Sequence, residues 1–288
     1  MRHETARQSS RDFDRSSKAL ARIMSPIVTR PEFAAGSAVY PSLRGRGVFI
    51  TGGGSGIGAC LVEGFCRQGA RVAFIDIDAD ASARLLQSLQ ARGLPVPWYR
   101  RCDVCDVHDL QRAIGEAADA FGDFNVLVNN VASDDRHATA EVTPEYWDQR
   151  MAVNQRPAFF AIQAVVPGMR RQGGGSIINI GSTGWLNKTG GYPAYATAKA
   201  SVMGLTRGLA RELGEQGIRI NVVSPGWVMT ERQLRLWATP DMEELIARMQ
   251  CLPGPLQPPD IAGMVLFLAS DDARACTAQE FIVDGGWS

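Results

Sequence analysis

Tyr195 and Lys199 stand four residues apart in the run Tyr-Ala-Thr-Ala-Lys. On a helix that spacing puts both side chains on one face. A phenol titrates at about pH 10 and is a poor base at neutral pH. A neighbouring ammonium favours the phenolate, which would make Tyr195 a usable acid–base group. Lys18, Lys188 and Lys199 are the only lysines; every other basic residue apart from histidine is arginine. A compact ammonium fits beside a phenol and a ribose where a forked guanidinium does not. Tyr192 is a decoy, because Ala196 stands four residues on. Ser182 ends an apolar run upstream and offers a hydroxyl to polarise a substrate oxygen. Asn154 offers an amide to hold a proton-relay water.

A second constellation lies nearer the N-terminus. Thr51-Gly-Gly-Gly-Ser-Gly-Ile-Gly58 follows the apolar run Val48-Phe49-Ile50 and opens a helical pattern. Glycines let the backbone turn sharply and approach a pyrophosphate, and the helix start supplies free N–H groups and a positive dipole end. The expected contacts are Gly52, Ser55, Gly56, Ile57 and Gly58. Asp76 closes the next apolar run. A carboxylate there accepts hydrogen bonds from an adenosine ribose diol and repels a 2′-phosphate. Ile77 follows it, and Ser55 occupies the loop position where a basic residue would favour NADP. The expected cofactor is therefore NAD.

These groups need a scaffold. Short apolar runs at 48–51, 72–76, 99–102, 126–129, 176–180, 218–223 and 280–283 alternate with helical patterns at about 56–69, up to 92, 108–121, 145–171, 194–215 and 261–269. Such alternation predicts a parallel sheet covered on both faces. The right-handed crossover rule turns it into a single-domain Rossmann-type doubly wound α/β fold. Ligands then bind at the carboxyl ends of the strands. Residues 231–259 are irregular and carry five prolines, the pattern of an ordered substrate lid. Residues 1–40 are polar and without steady periodicity and read as a flexible extension, leaving 41–288 as the domain.

The bulk numbers exclude other classes. Thirty basic residues balance thirty acidic ones, so a nucleic-acid partner is not expected. No stretch reaches the roughly 18 apolar residues of a membrane span. The N-terminus has no secretory apolar core, and Glu4, Asp12 and Asp14 argue against an organellar leader, so a cytoplasmic location is expected. The six cysteines are scattered and read as reduced. Cys102-x-x-Cys105-x-x-His108 lacks a fourth ligand and reads as a strand end with its turn, so no metal is expected.

Taken together, Thr51-Gly-x-x-x-Gly56-x-Gly58, Asp76, Asp103-Val104, Asn129-Asn130, Asn154, Ser182, Tyr195-x-x-x-Lys199, Pro225-Gly226 and Asp284-Gly-Gly286 resemble the short-chain dehydrogenases/reductases over about residues 43–288. The resemblance implies an oxidoreductase and a homotetramer built on the helices near 145–171 and 194–215. It further implies cofactor contacts from Asp103, Val104, Asn130, Tyr195, Lys199, Pro225, Gly226 and Val228. Val131 departs from the family's usual Asn-Ala-Gly and is expected to narrow the pocket floor. Ala38-Val-Tyr-Pro-Ser-Leu43, the run Asp134-Asp-Arg-His137, Gln250-Cys-Leu252 and the Gly-Trp287 ending resemble the bacterial NAD-dependent pentose dehydrogenases, which oxidise an aldose at its anomeric carbon to a lactone. On that reading Asp135, His137, Trp185 and Trp227 contact the sugar, since aromatic faces and paired polar groups suit it. The rival readings for these four are a solvated turn and packing. The rival substrate is a ketone, keto ester or cyclic alcohol. A non-catalytic nucleotide-binding regulator is the third possibility, and the intact Ser182, Tyr195 and Lys199 argue against it.

Overall fold

The computed structural model describes Phe33 and residues 36–288. β1 (Gly47–Thr51) is buried along its whole length, as a strand covered on both faces must be. It is followed by α1 (Gly56–Arg67), β2 (Arg71–Asp76), α2 (Ala79–Ala91), β3 (Trp98–Arg101), α3 (Val107–Phe121) and β4 (Val126–Asn129). The second half adds α4 (Pro144–Asn154), α5 (Arg156–Arg171), β5 (Gly175–Ile180), α6 (Pro193–Gly214), β6 (Ile218–Pro225), α7 (Glu231–Trp237), α8 (Met242–Met249), α9 (Pro258–Ala269) and β7 (Glu280–Val283).

The strands form one seven-stranded parallel sheet in the order β3-β2-β1-β4-β5-β6-β7. Two apolar layers sandwich it. One packs Val48, Ile50, Leu61, Phe65, Ile261 and Val265 under α1 and α9. The other packs Phe49, Ile75, Leu110, Ile114, Ala161 and Val165 under α3 and α5. Alternate residues of β1 thus feed opposite cores, as the two-residue period of a strand requires. The registers Thr51↔Asn129 and Asn129↔Asn179 align the carboxyl ends of β1, β4 and β5.

Local sequence explains the helix starts. Asp78, Asp106, Thr143 and Thr230 each accept a hydrogen bond from the first turn of the helix that follows. The single helix expected over 145–171 is instead two. Pro157 has no N–H to give to the preceding turn and disfavours helical backbone before it. The chain breaks at Gln155, with φ −129° and ψ −55°. β3 also sits one residue earlier than expected, at Trp98–Arg101. Most of the expected extension over 1–40 lies outside the described residues. In its described part, Phe33 packs against α1 near Gly64, and the Tyr40 N–H donates to Gln68 at 2.8 Å.

The irregular stretch 231–259 holds α7 and α8. Its base is pinned by a bridge between Val228 and Leu256, with the Met229 N–H donating to the Leu256 carbonyl at 2.9 Å.

Candidate active site

The glycine turn has no space for side chains. A Cβ on Gly58 would stand 1.8 Å from the Gly52 carbonyl oxygen, and one on Gly54 2.6 Å from Ser82 Oγ. Gly52 and Gly56 have positive φ, +69° and +54°. Ser55 makes no side-chain cap, so the first turn of α1 presents its N–H groups unshielded by this chain. A pyrophosphate fits this donor-lined cradle. Asp76 lies beside it: Oδ2 accepts from the Gly54 N–H at 2.8 Å and Oδ1 from the Asp78 N–H at 2.9 Å.

Two features around Asp76 and the glycine turn escaped sequence reading. Arg101 stands opposite Asp76 in the β2–β3 register and donates through Nε to the Ile77 carbonyl at 3.2 Å. Thr230 faces Gly56, its Cγ2 3.2 Å from where a Cβ would be. Asn130 braces the turn, giving Nδ2 to the Gly52 carbonyl at 2.8 Å. Val131 packs against Gly52. Asp103 accepts from the Cys105 N–H at 2.9 Å, and Val104 is buried. The Cys102 thiol, bonded to Asp109, is pushed up to about 12, chiefly by burial. On the far side, Gly226 lies against Asp284, the Pro225 carbonyl accepts from Thr183, and Val228 is buried.

Tyr195 and Lys199 occupy one face of α6, as their spacing requires. Lys199 Nζ lies 6.0 Å from the Tyr195 ring centroid and donates to the Ile180 carbonyl, at the end of β5, at 2.6 Å. Burial lowers this ammonium to about 8. Burial pushes the Tyr195 phenol up to about 12, against a hydrogen bond from Ser182 that lowers it. Asp134 pushes it up and Arg136 pulls it down. The expected depression of the phenol by Lys199 is not what this geometry delivers. The ammonium is engaged by Ile180, and desolvation of the phenolate is the larger effect. The Ser182 hydroxyl itself accepts from the Gly184 N–H at 3.1 Å, leaving its proton for the phenol oxygen.

Asn154 is placed close by but does different work from that expected. Its Oδ1 accepts from the Ser133 N–H at 2.8 Å, and its Nδ2 donates to the carbonyls of Ser133 and Arg150 at 3.1 and 3.0 Å. The amide clamps the loop after β4, so its capacity for a relay water is largely taken. A cavity of about 20 Å³ is lined among others by Thr51, Asn129, Asn154, Asn179 and Lys199.

That loop separates neighbours. Asp135 Oδ2 accepts from Arg150 at 2.7 Å and Ser133 at 2.8 Å, and its Oδ1 from Arg232 at 2.6 Å. Burial works to raise its carboxyl, but these hydrogen bonds overcome it and hold the group below its ordinary range. His137 uses both ring nitrogens on protein groups. The charges felt at Tyr195 come from Asp134 and Arg136. Arg136 stacks between the rings of Tyr192, at 4.0 Å, and Trp237, at 5.0 Å. Asp134 takes Gln233 Nε2 at 2.7 Å and Arg232 Nε at 3.4 Å, both from α7. Trp227 gives Nε1 to Gln233 at 3.1 Å and packs with Met229, Met242, Ile246 and Trp287. Trp185 ends the short turn after Ser182, half-buried.

Comparisons with known proteins agree with this geometry. Residues 52–288 match a family model described as Enoyl-(Acyl carrier protein) reductase. The chain is 50% identical over 252 residues to a D-xylose 1-dehydrogenase of Caulobacter vibrioides, covering 87% of this chain and 99% of that one. It is 51% identical over 253 residues to a probable galactose dehydrogenase of Rhizobium meliloti, covering 87% and 98%. Among solved structures it resembles a 7α-hydroxysteroid dehydrogenase complexed with NADH and 7-oxo glycochenodeoxycholic acid (TM-score 0.81, 32% identity, 86% of this chain and 96% of that one). A metagenomic blue fluorescent protein in complex with NADPH is also similar (TM-score 0.78, 37% identity, 86% and 99%). With a glycine cradle on β1–α1, Ser182 beside Tyr195, Lys199 one turn on and these relatives across most of its length, the chain belongs to the short-chain dehydrogenase/reductase family, as an oxidoreductase acting on CH–OH groups.

Proposed function

We propose that the protein is an NAD-dependent aldose 1-dehydrogenase, oxidising the anomeric hydroxyl of an aldopentose to the lactone. The observation that carries the substrate class is the polar arc around Tyr195. Asp134 and Arg136 act on the phenol, and Asp134 is bonded to Gln233 and Arg232 of α7. Charged and amide groups on a loop whose charges reach an acid–base tyrosine suit a ligand with several hydroxyls. The names of the relatives sharing half its sequence, D-xylose 1-dehydrogenase and galactose dehydrogenase, support the same class. Trp185 and Trp227 are proposed as apolar walls for the sugar ring. Residues 231–259 are proposed as the lid.

Ser182 holds the substrate oxygen, and Tyr195 as phenolate takes its proton. Lys199, carrying charge near neutral pH, is the group that would hold the nicotinamide ribose. A bound nicotinamide cofactor would supply the hydride acceptor for C1. The glycine turn would hold its pyrophosphate, Asp76 the ribose diol, and Asp103 and Val104 the adenine. Asn130, Pro225, Gly226 and Val228 border the remaining length.

Asp76, whose carboxylate accepts from the Gly54 and Asp78 N–H groups and is bonded to no cation among the described residues, supports NAD over NADP. Trp147 and Phe159, each more than one-third exposed on α4 and α5, support a homotetramer using those helices. Among the described residues no disulfide joins the cysteines, which suits a cytoplasmic location. The test is turnover of D-xylose, D-galactose and cyclic alcohols with each cofactor. Aldose oxidation with NAD⁺ is expected, and turnover confined to cyclic alcohols would overturn the substrate assignment.

A further inference from the structure

α6 carries both Tyr195 and Lys199, yet it begins without a cap of its own. Its N-cap residue is Tyr192, with φ −157° and ψ 54° and no side-chain hydrogen bond to the first turn, and Pro193 takes the first helical position. An orphan N–H at the second position is ordinarily satisfied by a Ser, Thr, Asp or Asn just before the helix. Here the Ala194 N–H, one residue before Tyr195, points to Nε2 of His137 at 3.3 Å. His137 comes from the loop after β4, 57 residues away in sequence.

The rest of the imidazole is fixed as well. Nδ1 lies 3.0 Å from the Asp135 carbonyl oxygen and 2.9 Å from the Tyr146 hydroxyl. The ring meets Tyr146 edge to face at 4.9 Å. The His137 backbone N–H donates to the Gly191 carbonyl at 2.8 Å, just before α6 begins. A carbonyl only accepts and a backbone N–H only donates. Nδ1 must therefore carry the proton and Nε2 must be bare. In that tautomer the single Nδ1–H is shared between the Asp135 carbonyl and the Tyr146 hydroxyl oxygen; the other tautomer sets two donors face to face at Ala194.

We propose that His137 is a positioning residue, a helix cap supplied from a distant loop that fixes the first turn of α6 and with it the Tyr195 hydroxyl relative to Ser182. It does this without touching the substrate. The inference needs Tyr195 as the acid–base group and does not need the alcohol to be a sugar.

Two measurements test it. In protein labelled with ¹⁵N-histidine, only three imidazoles contribute: His3, His108 and His137. At neutral pH one is expected as the Nδ1–H tautomer, its signals vanishing in His137→Gln. An Nε2–H tautomer at that position would overturn the proposal, whatever the substrate and whether or not any variant folds. Kinetically, His137→Phe keeps the ring contact with Tyr146 and removes the acceptor. Its kcat on the alcohol turned over by the wild type should fall about tenfold, with KM for that alcohol within about twofold. His137→Gln, whose amide oxygen can accept at the same place, should restore most of the loss. A large rise in KM with kcat retained would instead make His137 a substrate contact and overturn the proposal. A protein that turns over no sugar but shows this tautomer and this kcat loss on another alcohol would refute the aldose reading and leave the cap standing.

Discussion

Lys199 gives its ammonium to the Ile180 carbonyl at 2.6 Å, tying the catalytic helix to the end of β5. The same bond holds a cation in a buried place, and burial lowers it to about 8. Below that pH the folded state carries an ammonium that the unfolded chain would solvate freely. The cost is present below about 8 and is relieved as pH rises toward the ordinary value of 10.5. Lys199→Met is therefore expected to abolish turnover and raise the melting temperature at pH 7 by a few degrees. The gain should shrink in melts above pH 8. Lys199→Arg should not rescue activity, because the guanidinium's fixed fork does not match the single Ile180 acceptor.

Ser182 is the lowering influence closest to Tyr195. Burial already pushes the phenol to about 12, so the phenolate needed for oxidation grows as pH rises. Ser182→Ala removes the hydrogen bond that favours the phenolate. The rate-versus-pH curve for oxidation should shift to higher pH, and kcat at neutral pH should fall on the order of 100-fold. An unshifted curve would show that Ser182 acts only in binding.

Asp76 predicts cofactor choice. Asp76→Ser keeps a small acceptor but removes the charge facing a 2′-phosphate. Its kcat/KM with NAD⁺ should drop about tenfold and that with NADP⁺ should rise, since each close charge contact is worth on the order of 1–3 kcal/mol. Arg101, opposite Asp76 and bonded through Nε to the Ile77 carbonyl, is then the neighbouring cation expected to favour the phosphate. Initial rates with the two cofactors check this.

Arg232 ties α7 to Asp134 and Asp135, but its side chain is 43% exposed. Exposed ion pairs contribute roughly 0.2–1 kcal/mol. Arg232→Ala should therefore raise KM for the proposed aldose substrate by no more than about fivefold, with kcat nearly unchanged. KM should also lose part of its salt dependence. A hundredfold effect would mean that Arg232 contacts the substrate itself.

The fold was largely legible because its strands are short apolar runs whose period differs plainly from that of the helices, and because the glycine turn, Asp76 and the Tyr195–Lys199 spacing are local signals. What was not legible depends on partners far along the chain. Pro157 is a local signal for the break at Gln155 that the reading of 145–171 as one helix left unused. Asp134 to His137 has no regular structure, so nothing local says which side chains turn toward Tyr195. Arg150 and Arg232 settle that by taking Asp135, and Ala194 by taking His137. The Asn154 amide was legible as a site residue, but not its clamp on Ser133, which needs the β4–α4 geometry.

The most direct test follows a single atom. D-Xylose deuterated at C1 is incubated with the protein and NAD⁺, and the reduced cofactor and the sugar product are analysed by mass spectrometry. The account predicts reduced nicotinamide carrying the deuterium, a lactone product, and neither in Tyr195→Phe. Reduced cofactor without deuterium, or no reaction with any aldose while another alcohol is oxidised, would contradict it.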